Sequence, residues 1–201
     1  KAIKPWADKV EKESGGRIKV QRFDAMALGG KPPELFDQAK DGVVDVIWTV
    51  LGYTPGRFPK SEVFELPFTV GNPEAGSRAF QEYVEKNAMD EFKDVKLIAV
   101  HVHGPGLIHS KNPVTKLEDL KGMKVRGGSR VINIMLEQLG ATAVGMPVPA
   151  VGEALARLGS LTDVRPGGVE VVDLLREDEL FSVDDVILEV EGLRAAGDRG
   201  E

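Results

Sequence analysis

Residues 115–128 read TKLEDLKGMKVRGG, and this run decides the fold that the sequence predicts. Thr115 and Glu118 fit the capping box of a short helix, Gly122 fits a turn, and residues 123–126 fit a strand. That strand would end at Arg126, directly ahead of two glycines. An arginine fork matches a carboxylate with two parallel hydrogen bonds, so this strand end is a candidate anion site. The alternative is an exposed loop arginine, which is where most charged residues lie.

The flanking sequence alternates between helical and strand periodicities. Apolar spacing and capping residues predict helices at 2–13, 33–40, 73–92 and 129–139, and strands at 17–23, 43–50, 96–103 and 141–147. Residues 43–50 are apolar almost throughout, which predicts a buried, parallel strand. Residues 169–175 and 185–190 fit either strands or parts of helices. The alternation predicts an α/β protein with mostly parallel sheets.

Composition excludes several classes of protein. The chain of 201 residues has no cysteine, which rules out disulfides and thiolate metal sites. A net charge of −6 argues against nucleic acid as a partner. No apolar run approaches the roughly 18 residues of a membrane-spanning helix. Residues 1–6 lack the apolar centre of a signal peptide, so a mature, trimmed or cytoplasmic chain is expected.

Residues 158–201 differ in composition from the rest of the chain. They carry a net charge of −8, against +2 for residues 1–157, and they contain no lysine. Such a break predicts a separate module, a segment of different origin, or an acidic tail. We therefore treat residues 158–201 as an acidic C-terminal segment of uncertain fold.

Seven pieces of the first 157 residues occur together in one known family. They are GRIKV from Gly16, ALGG from Ala27, PELFDQ from Pro33, GVVDV from Gly42, LPF from Leu66, LEDLKGMKVR from Leu117, and LGATAVGMPVP from Leu139. In this order they resemble the solute-binding subunit of a tripartite ATP-independent periplasmic (TRAP) transporter. The resemblance implies a two-lobed α/β fold of the periplasmic binding protein type (type II-like). It also implies a periplasmic protein, not an enzyme, that needs no cofactor and passes a small organic acid to membrane permease subunits.

The sequence departs from the family pattern at both ends. The family's first strand, which precedes the first helix, is lacking, and residues 158–201 do not follow the family pattern. The expected division is therefore an incomplete first lobe over 1–100, an incomplete second lobe over 101–157, and the acidic segment. Some relatives carry a second binding arginine near Gly106, so a sialic acid is not expected as the ligand.

The resemblance places Arg126 on the family's carboxylate-clamping arginine. Further candidate ligand contacts come from aromatic or polar side chains near the expected cleft: Trp48, Tyr53, His103, Ser129 and Asn133. Each has a structural alternative, namely core packing for the two aromatic residues and helix capping for Ser129. A zinc site formed by His101, His103 and His109 is a weaker alternative, and no metal is expected.

Two functions follow from these observations. The leading prediction is a TRAP solute-binding protein that holds a small mono- or dicarboxylate, in the manner of C4-dicarboxylate binders, through Arg126. The alternative is an assembly module that does not bind a ligand. Its incomplete sheets would be completed by dimerisation or by an exchange of elements, because unpaired strands attract partners.

Overall fold

The computed structural model describes residues 3–104, 106–110, 113–160 and 185–189, with 157–160 and 185–189 described by backbone alone. Short 3-10 turns connect five helices and five strands within this part of the chain. The helices are α1 (Ile3–Glu13), α2 (Leu35–Lys40), α3 (Pro73–Asn87), α4 (Arg130–Gln138) and α5 (Val151–Ser160). The strands are β1 (Val46–Val50), β2 (Lys96–Val100), β3 (Lys124–Gly127), β4 (Thr142–Gly145) and β5 (Asp185–Glu189).

Two clusters of buried side chains hold the structure together. Helix α3 shows how the first one forms: Asn72 accepts a hydrogen bond from the Ala75 amide at 2.9 Å, Pro73 starts the helix, and Phe80 and Val84 are fully buried. The first core consists of Phe36, Ala39, Ile47, Leu51, Phe58, Phe80, Val84, Ala88, Phe92, Val100 and Val102. The second core consists of Leu120, Val125, Leu136 and Ala141.

The first sheet corrects the predicted direction of its strands. Its order is β1-β5-β2, and β5 runs antiparallel to both neighbours. The expectation of a parallel partner for residues 43–50 was therefore wrong. An apolar run shows that a strand is buried, but it carries no information on the direction of the neighbouring strand.

The second sheet has the predicted parallel form. Strands β3 and β4 pair in parallel, from Lys124 opposite Thr142 to Gly127 opposite Gly145. Helix α4 connects the two strands, and its residues Ile132 and Leu136 pack into the second core. This β-α-β unit places the end of β3, and with it Arg126, beside the start of α4.

Residues 17–23 do not form the predicted strand. They run without regular structure from the end of α1 to a 3-10 turn at Asp24–Met26. The alternating pattern is present, but a strand also needs a hydrogen-bonded neighbour. Among the described residues none pairs with the backbone of 19–23.

Two predicted element ends also change. The helix expected over 73–92 ends at Asn87, and a separate 3-10 turn covers Met89–Phe92. The capping carboxylate of the turn Leu117–Leu120 belongs to Asp119 and not to Glu118. Its carboxylate accepts hydrogen bonds from the amides of Thr115 and Lys116 at 2.9 and 3.2 Å. These bonds lower the pKa of Asp119.

The acidic segment contributes the last three residues of α5 and one strand to the described structure. Residues 185–189 form β5, so the strand alternative for 185–190 is confirmed, and this strand lies in the centre of the first sheet. The prediction for residues 169–175 lies outside the described residues. Within the described ranges, no helix has the length and apolar character required to cross a membrane.

Candidate functional site

Arg126 is a buried cation at the end of β3. Only 3% of its surface is exposed, and its Nε donates a hydrogen bond to the Met146 carbonyl oxygen at 2.9 Å. Its Nη2 is buried and has no hydrogen-bond partner among the described residues. A side chain at Gly128 would begin 3.3 Å from this nitrogen, so the glycine leaves room for the guanidinium. The side chain is thus fixed at Nε while one nitrogen at its tip remains available.

Tyr53 forms a hydrogen bond between two distant segments of the chain. It follows β1 in a 3-10 turn over Leu51–Tyr53, and its hydroxyl oxygen accepts a hydrogen bond from the Val148 amide at 3.0 Å. The two residues lie 95 positions apart in the sequence. The bond therefore holds the loop after β1 against the segment after β4.

The loop that carries Tyr53 is anchored to the first core. The Arg57 guanidinium donates to both carboxylate oxygens of Asp37, at 2.8 and 3.0 Å, and lies 4.0 Å from the centre of the Phe36 ring. Its hydrogen bonds lower the pKa of the Asp37 carboxyl. Since the pair is partly exposed, its contribution to stability is about 1 kcal/mol at most.

Four of the six predicted site residues line one cavity of about 1110 Å³: Trp48, Tyr53, His103 and Arg126. Trp48 reaches it from β1, and Val148 and Pro149 also line it. Residues of α1, residues 18–23 and β1 line the same cavity. Arg126 therefore shares one cavity with aromatic side chains.

Ser129 lies beside the cavity wall and acts as the cap of α4. Its hydroxyl accepts a hydrogen bond from the Ile132 amide at 3.3 Å, and the residue is buried. It packs against Gly52 so closely that a Cβ on that glycine would lie 2.5 Å from the Ser129 Cβ. The buried carboxylate of Glu65 lies at the same contact, with Oε1 3.0 Å from that Cβ position. Gly52 thus permits the close approach of α4 to the loop after β1.

We expect Gly52→Ala to destabilise the protein by about 1–3 kcal/mol, as overpacking of a tight contact does. The added methyl group would overlap Ser129, and neither backbone can retreat freely. Urea unfolding of the single variants and of the double variant Gly52→Ala, Ser129→Gly measures the effect.

The double variant should recover at least half of the lost stability, because Ser129→Gly removes the Cβ atom that the new methyl group would overlap. On its own, Ser129→Gly should cost only a few tenths of a kcal/mol as a change of cap. Equal stability of Gly52→Ala and the unchanged protein would contradict the close contact.

Asn133 occupies a position defined by two glycines. Its Oδ1 lies 2.0 Å from the position that a Cβ on Gly127 would take, and its Nδ2 lies 2.8 Å from the Cβ position of Gly145. The amide therefore covers the paired ends of β3 and β4. Its oxygen is buried without a hydrogen-bond partner among the described residues. A ligand contact for Ser129 or Asn133 stays a prediction.

The histidines of β2 and the segment after it occupy different surroundings. The His101 ring lies 5.8 Å from the Trp48 ring, and burial lowers its pKa. The Nδ1 of His103 lies 2.7 Å from the Gly104 carbonyl oxygen, which makes that nitrogen the donor. A group of three or more metal-ligating side chains, including these histidines, is not found in the described ranges.

Several groups around Arg126 could not be recognised from the sequence. The Met146 carbonyl and the Val148 amide are backbone groups, so their residue types carry no signal. The close approach at Gly52 depends on the packing of two distant segments. Glu65 lies directly ahead of the Leu66-Pro-Phe motif, and the motif alone does not show that its carboxylate is buried.

Comparisons with known proteins agree with this architecture. The family described as bacterial extracellular solute-binding protein, family 7, matches residues 1–157. The chain belongs to this family. The predicted resemblance to TRAP solute-binding proteins and the two-lobed α/β fold class are thereby confirmed.

Two solved TRAP solute-binding proteins are similar in structure. One, from Rhodoferax ferrireducens T118 and in complex with copurified benzoate, is 43% identical with a TM-score of 0.84. The other, from a marine metagenome and in complex with 3-hydroxybenzoate, is 47% identical with a TM-score of 0.81. Each comparison covers 94% of this chain and 63% of the solved one.

A curated relative is also similar, at lower sequence identity. The outer membrane transporter protein TsaT of Comamonas testosteroni is 28% identical over 150 residues, which are 72% of this chain and 43% of the relative. The chain therefore spans less than two thirds of the length of these three relatives. Activity, ligand and partners of the whole protein are matters of proposal.

Proposed function

We propose that this chain forms part of the extracytoplasmic, periplasmic solute-binding subunit of a TRAP transporter and binds a small aromatic carboxylate. The observation that carries the proposal is the buried Arg126, whose Nη2 has no partner among the described residues. A buried cation is stable when a counter-charge or hydrogen-bond acceptor meets it. A carboxylate supplies both.

The surroundings of Arg126 favour an aromatic acid over an aliphatic one. Trp48 and Tyr53 line the same cavity, and flat aromatic rings pack well on such side chains. The two relatives of 43% and 47% identity hold benzoate and 3-hydroxybenzoate. His103 lines the same cavity and would supply a polar group for ring substituents.

Function would consist of binding and release, without catalysis. The residues up to about 100 and those from 101 to 157 would form the two lobes, which close on the acid through the contacts of Tyr53 and Ser129. A ligand that contacts both lobes favours the closed arrangement. The closed form would then dock on membrane permease subunits.

Thermal unfolding with a panel of acids tests this function. The panel contains benzoate, 3-hydroxybenzoate, mandelate and glucuronate, and benzamide is the matched uncharged control for benzoate. A true ligand at 100 times its dissociation constant adds about 2.7 kcal/mol, which raises the unfolding midpoint by about 5–10 °C.

We expect at least one aromatic acid to produce this shift and benzamide to produce none. A shift with glucuronate alone would retain the carboxylate site but overturn the aromatic preference. No shift with any acid, or equal shifts with benzoate and benzamide, would overturn the proposed function. The alternative of a dimeric assembly module would then gain support if the chain ran at twice its mass of 21.8 kDa.

A further inference from the structure

One ion pair joins α4, the helix that begins shortly after Arg126, to a distant turn. The Arg130 guanidinium, in the first turn of α4, donates to both carboxylate oxygens of Glu62, with Nε 3.3 Å from Oε1. Glu62 lies 68 positions earlier, in the 3-10 turn Ser61–Glu65. The pair therefore bridges the two proposed lobes close to the arginine that is proposed to hold the acid.

The pair differs from an ordinary surface ion pair. Exposed pairs contribute little to stability, because water screens them and two long side chains lose their freedom. Here the Glu62 side chain is only 11% exposed and also accepts a hydrogen bond from the Gly56 amide at 3.3 Å. A carboxylate that is held from one side and meets a planar guanidinium on the other is preorganised, so less freedom is lost when the pair forms.

A second carboxylate lies at the same contact. Glu65 follows Glu62 by three residues, and side chains at this spacing lie on one face of a 3-10 helix. It is buried beside Gly52 and Ser129, and its Oε2 has no hydrogen-bond partner among the described residues. The hydrogen bond to Glu62 and, more weakly, the charge of Glu65 raise the pKa of the Arg130 guanidinium. Two carboxylates thus act on the same arginine at the start of α4.

We propose that the ion pair of Glu62 and Arg130 is a latch that holds the two proposed lobes together before an acid binds, and that both side chains are positioning residues for the site at Arg126. This positioning role rests on the proposed function, whereas the latch itself can be measured without a ligand.

The path from the latch to the site is short. Strand β3, which carries Arg126, leads directly into α4, so fixing the start of α4 against the turn Ser61–Glu65 also fixes Arg126 relative to that turn. The loop after β1, which carries Tyr53, packs against the same start of α4 through Gly52 and Ser129. The acid would then meet a preformed site, and the apparent affinity scales with the fraction of molecules in which the site is formed.

Spin labels measure the latch directly. The chain has no cysteine, so Glu85→Cys on α3 and Gln138→Cys on α4 place two nitroxide labels at exposed positions, one in each proposed lobe. Pulsed electron spin resonance gives the distribution of distances between the labels. Arg130→Gln removes the latch, and Arg78→Gln, which breaks an exposed pair with Glu74 within α3, is the matched control.

Without ligand, we expect Arg130→Gln to lengthen the mean distance between the labels by more than about 2 Å, and Arg78→Gln to leave it unchanged. Saturating benzoate should restore the shorter distance in Arg130→Gln, because a ligand that contacts both lobes favours the closed arrangement. Equal distributions for the parent chain and both variants would overturn the latch.

The affinity for benzoate tests the positioning role. Arg130→Gln should raise the dissociation constant about three- to tenfold, mainly through faster dissociation, because fewer molecules have the site formed. Arg78→Gln should leave the dissociation constant within about twofold of that of the parent chain. Thermal unfolding of each variant without ligand verifies that the fold is retained.

An exchange of the two charges separates the ion pair from any other role of its side chains. Arg130→Glu alone should weaken binding more than Glu62→Arg alone, because it brings a third carboxylate to Glu62 and Glu65. The double variant Glu62→Arg, Arg130→Glu should recover at least half of the lost affinity on a logarithmic scale, since it restores the pair in reverse. A role that depends on either side chain by itself would not be restored.

Two results would overturn the positioning role. One is additive loss of affinity in the double variant, and the other is unchanged benzoate affinity in Arg130→Gln despite a longer distance between the labels. If the parent chain bound no acid while Arg130→Gln still lengthened the distance, the proposed function and the positioning role would fail and the latch would stand. Binding of benzoate with equal distances in all three proteins would overturn the latch and leave the proposed function intact.

Discussion

Replacing Arg126 by alanine is expected to weaken the binding of benzoate by a factor of about 100 or more. Truncating one member of a buried, hydrogen-bonded charge pair costs about 2–5 kcal/mol, and each 1.4 kcal/mol is a factor of ten. The effect is large because the proposed partner of the carboxylate is a side chain with only 3% exposure. Titration calorimetry of the two proteins with benzoate measures the ratio of dissociation constants.

Two further variants show whether the effect of Arg126→Ala comes from the arginine fork itself, from its positive charge alone, or from a change in folding. Arg126→Lys keeps the charge but loses the planar fork and the bond from Nε to the Met146 oxygen, so it should retain only part of the affinity. Arg78→Ala removes an exposed arginine that pairs with Glu74 on α3, and it should bind like the unchanged protein.

One outcome would contradict the prediction for Arg126. If Arg126→Ala bound benzoate within threefold of the unchanged protein, the acid would sit elsewhere in the cavity. The unfolding midpoint of each variant without ligand shows whether the fold survives. A variant that folds but does not bind supports the clamp, whereas a variant that has lost its fold leaves Arg126→Lys as the deciding measurement.

The sequence was most informative where local chemistry determines structure. The run at 115–128 predicted a short capped helix, a glycine turn and a strand that carries Arg126 at its end in their correct order, because glycine, apolar residues and a cap act over a few positions. Ser129 was likewise recognised as a potential cap. Even here the capping carboxylate moved by one residue, from Glu118 to Asp119, because both acids fit the same short pattern.

The sequence was least informative where distant segments meet. The antiparallel partner of β1 is β5, which lies more than 130 residues later, and nothing in the apolar run of β1 specifies it. Residues 17–23 have the alternating pattern of a strand, but the pattern alone does not form one without a hydrogen-bonded neighbouring strand. The contact of Gly52 with Ser129 and the bond of Tyr53 with Val148 join segments whose approach depends on the whole fold.

The aromatic centre of the first core supports the loop that carries Tyr53. Phe58 has 2% exposure; its ring stacks on Phe92 at 5.2 Å and meets the edge of Phe36 at 5.2 Å. The loop after β1 is thus attached to α2 on one side and to the turn after α3 on the other. Loss of this ring would leave a cavity between these segments.

We expect Phe58→Ala to lower the free energy of unfolding by about 3–5 kcal/mol, the range for removing a fully buried phenylalanine. Urea unfolding measures it, and Phe68→Ala is the matched control, because that ring is fully exposed and its loss should change stability by less than about 0.5 kcal/mol. Phe58→Leu should fall between the two.

The same variant tests how the core and the site are linked. If the loop is held only by the core, the folded fraction of Phe58→Ala should still bind benzoate, but more weakly, because Tyr53 would lose its fixed position against Val148. A loss of stability below 1 kcal/mol would mean that the aromatic cluster is not the centre of the core. If Phe58→Ala lowered the free energy of unfolding by the expected amount but left the affinity for benzoate unchanged, Tyr53 would be positioned by its own hydrogen bond alone.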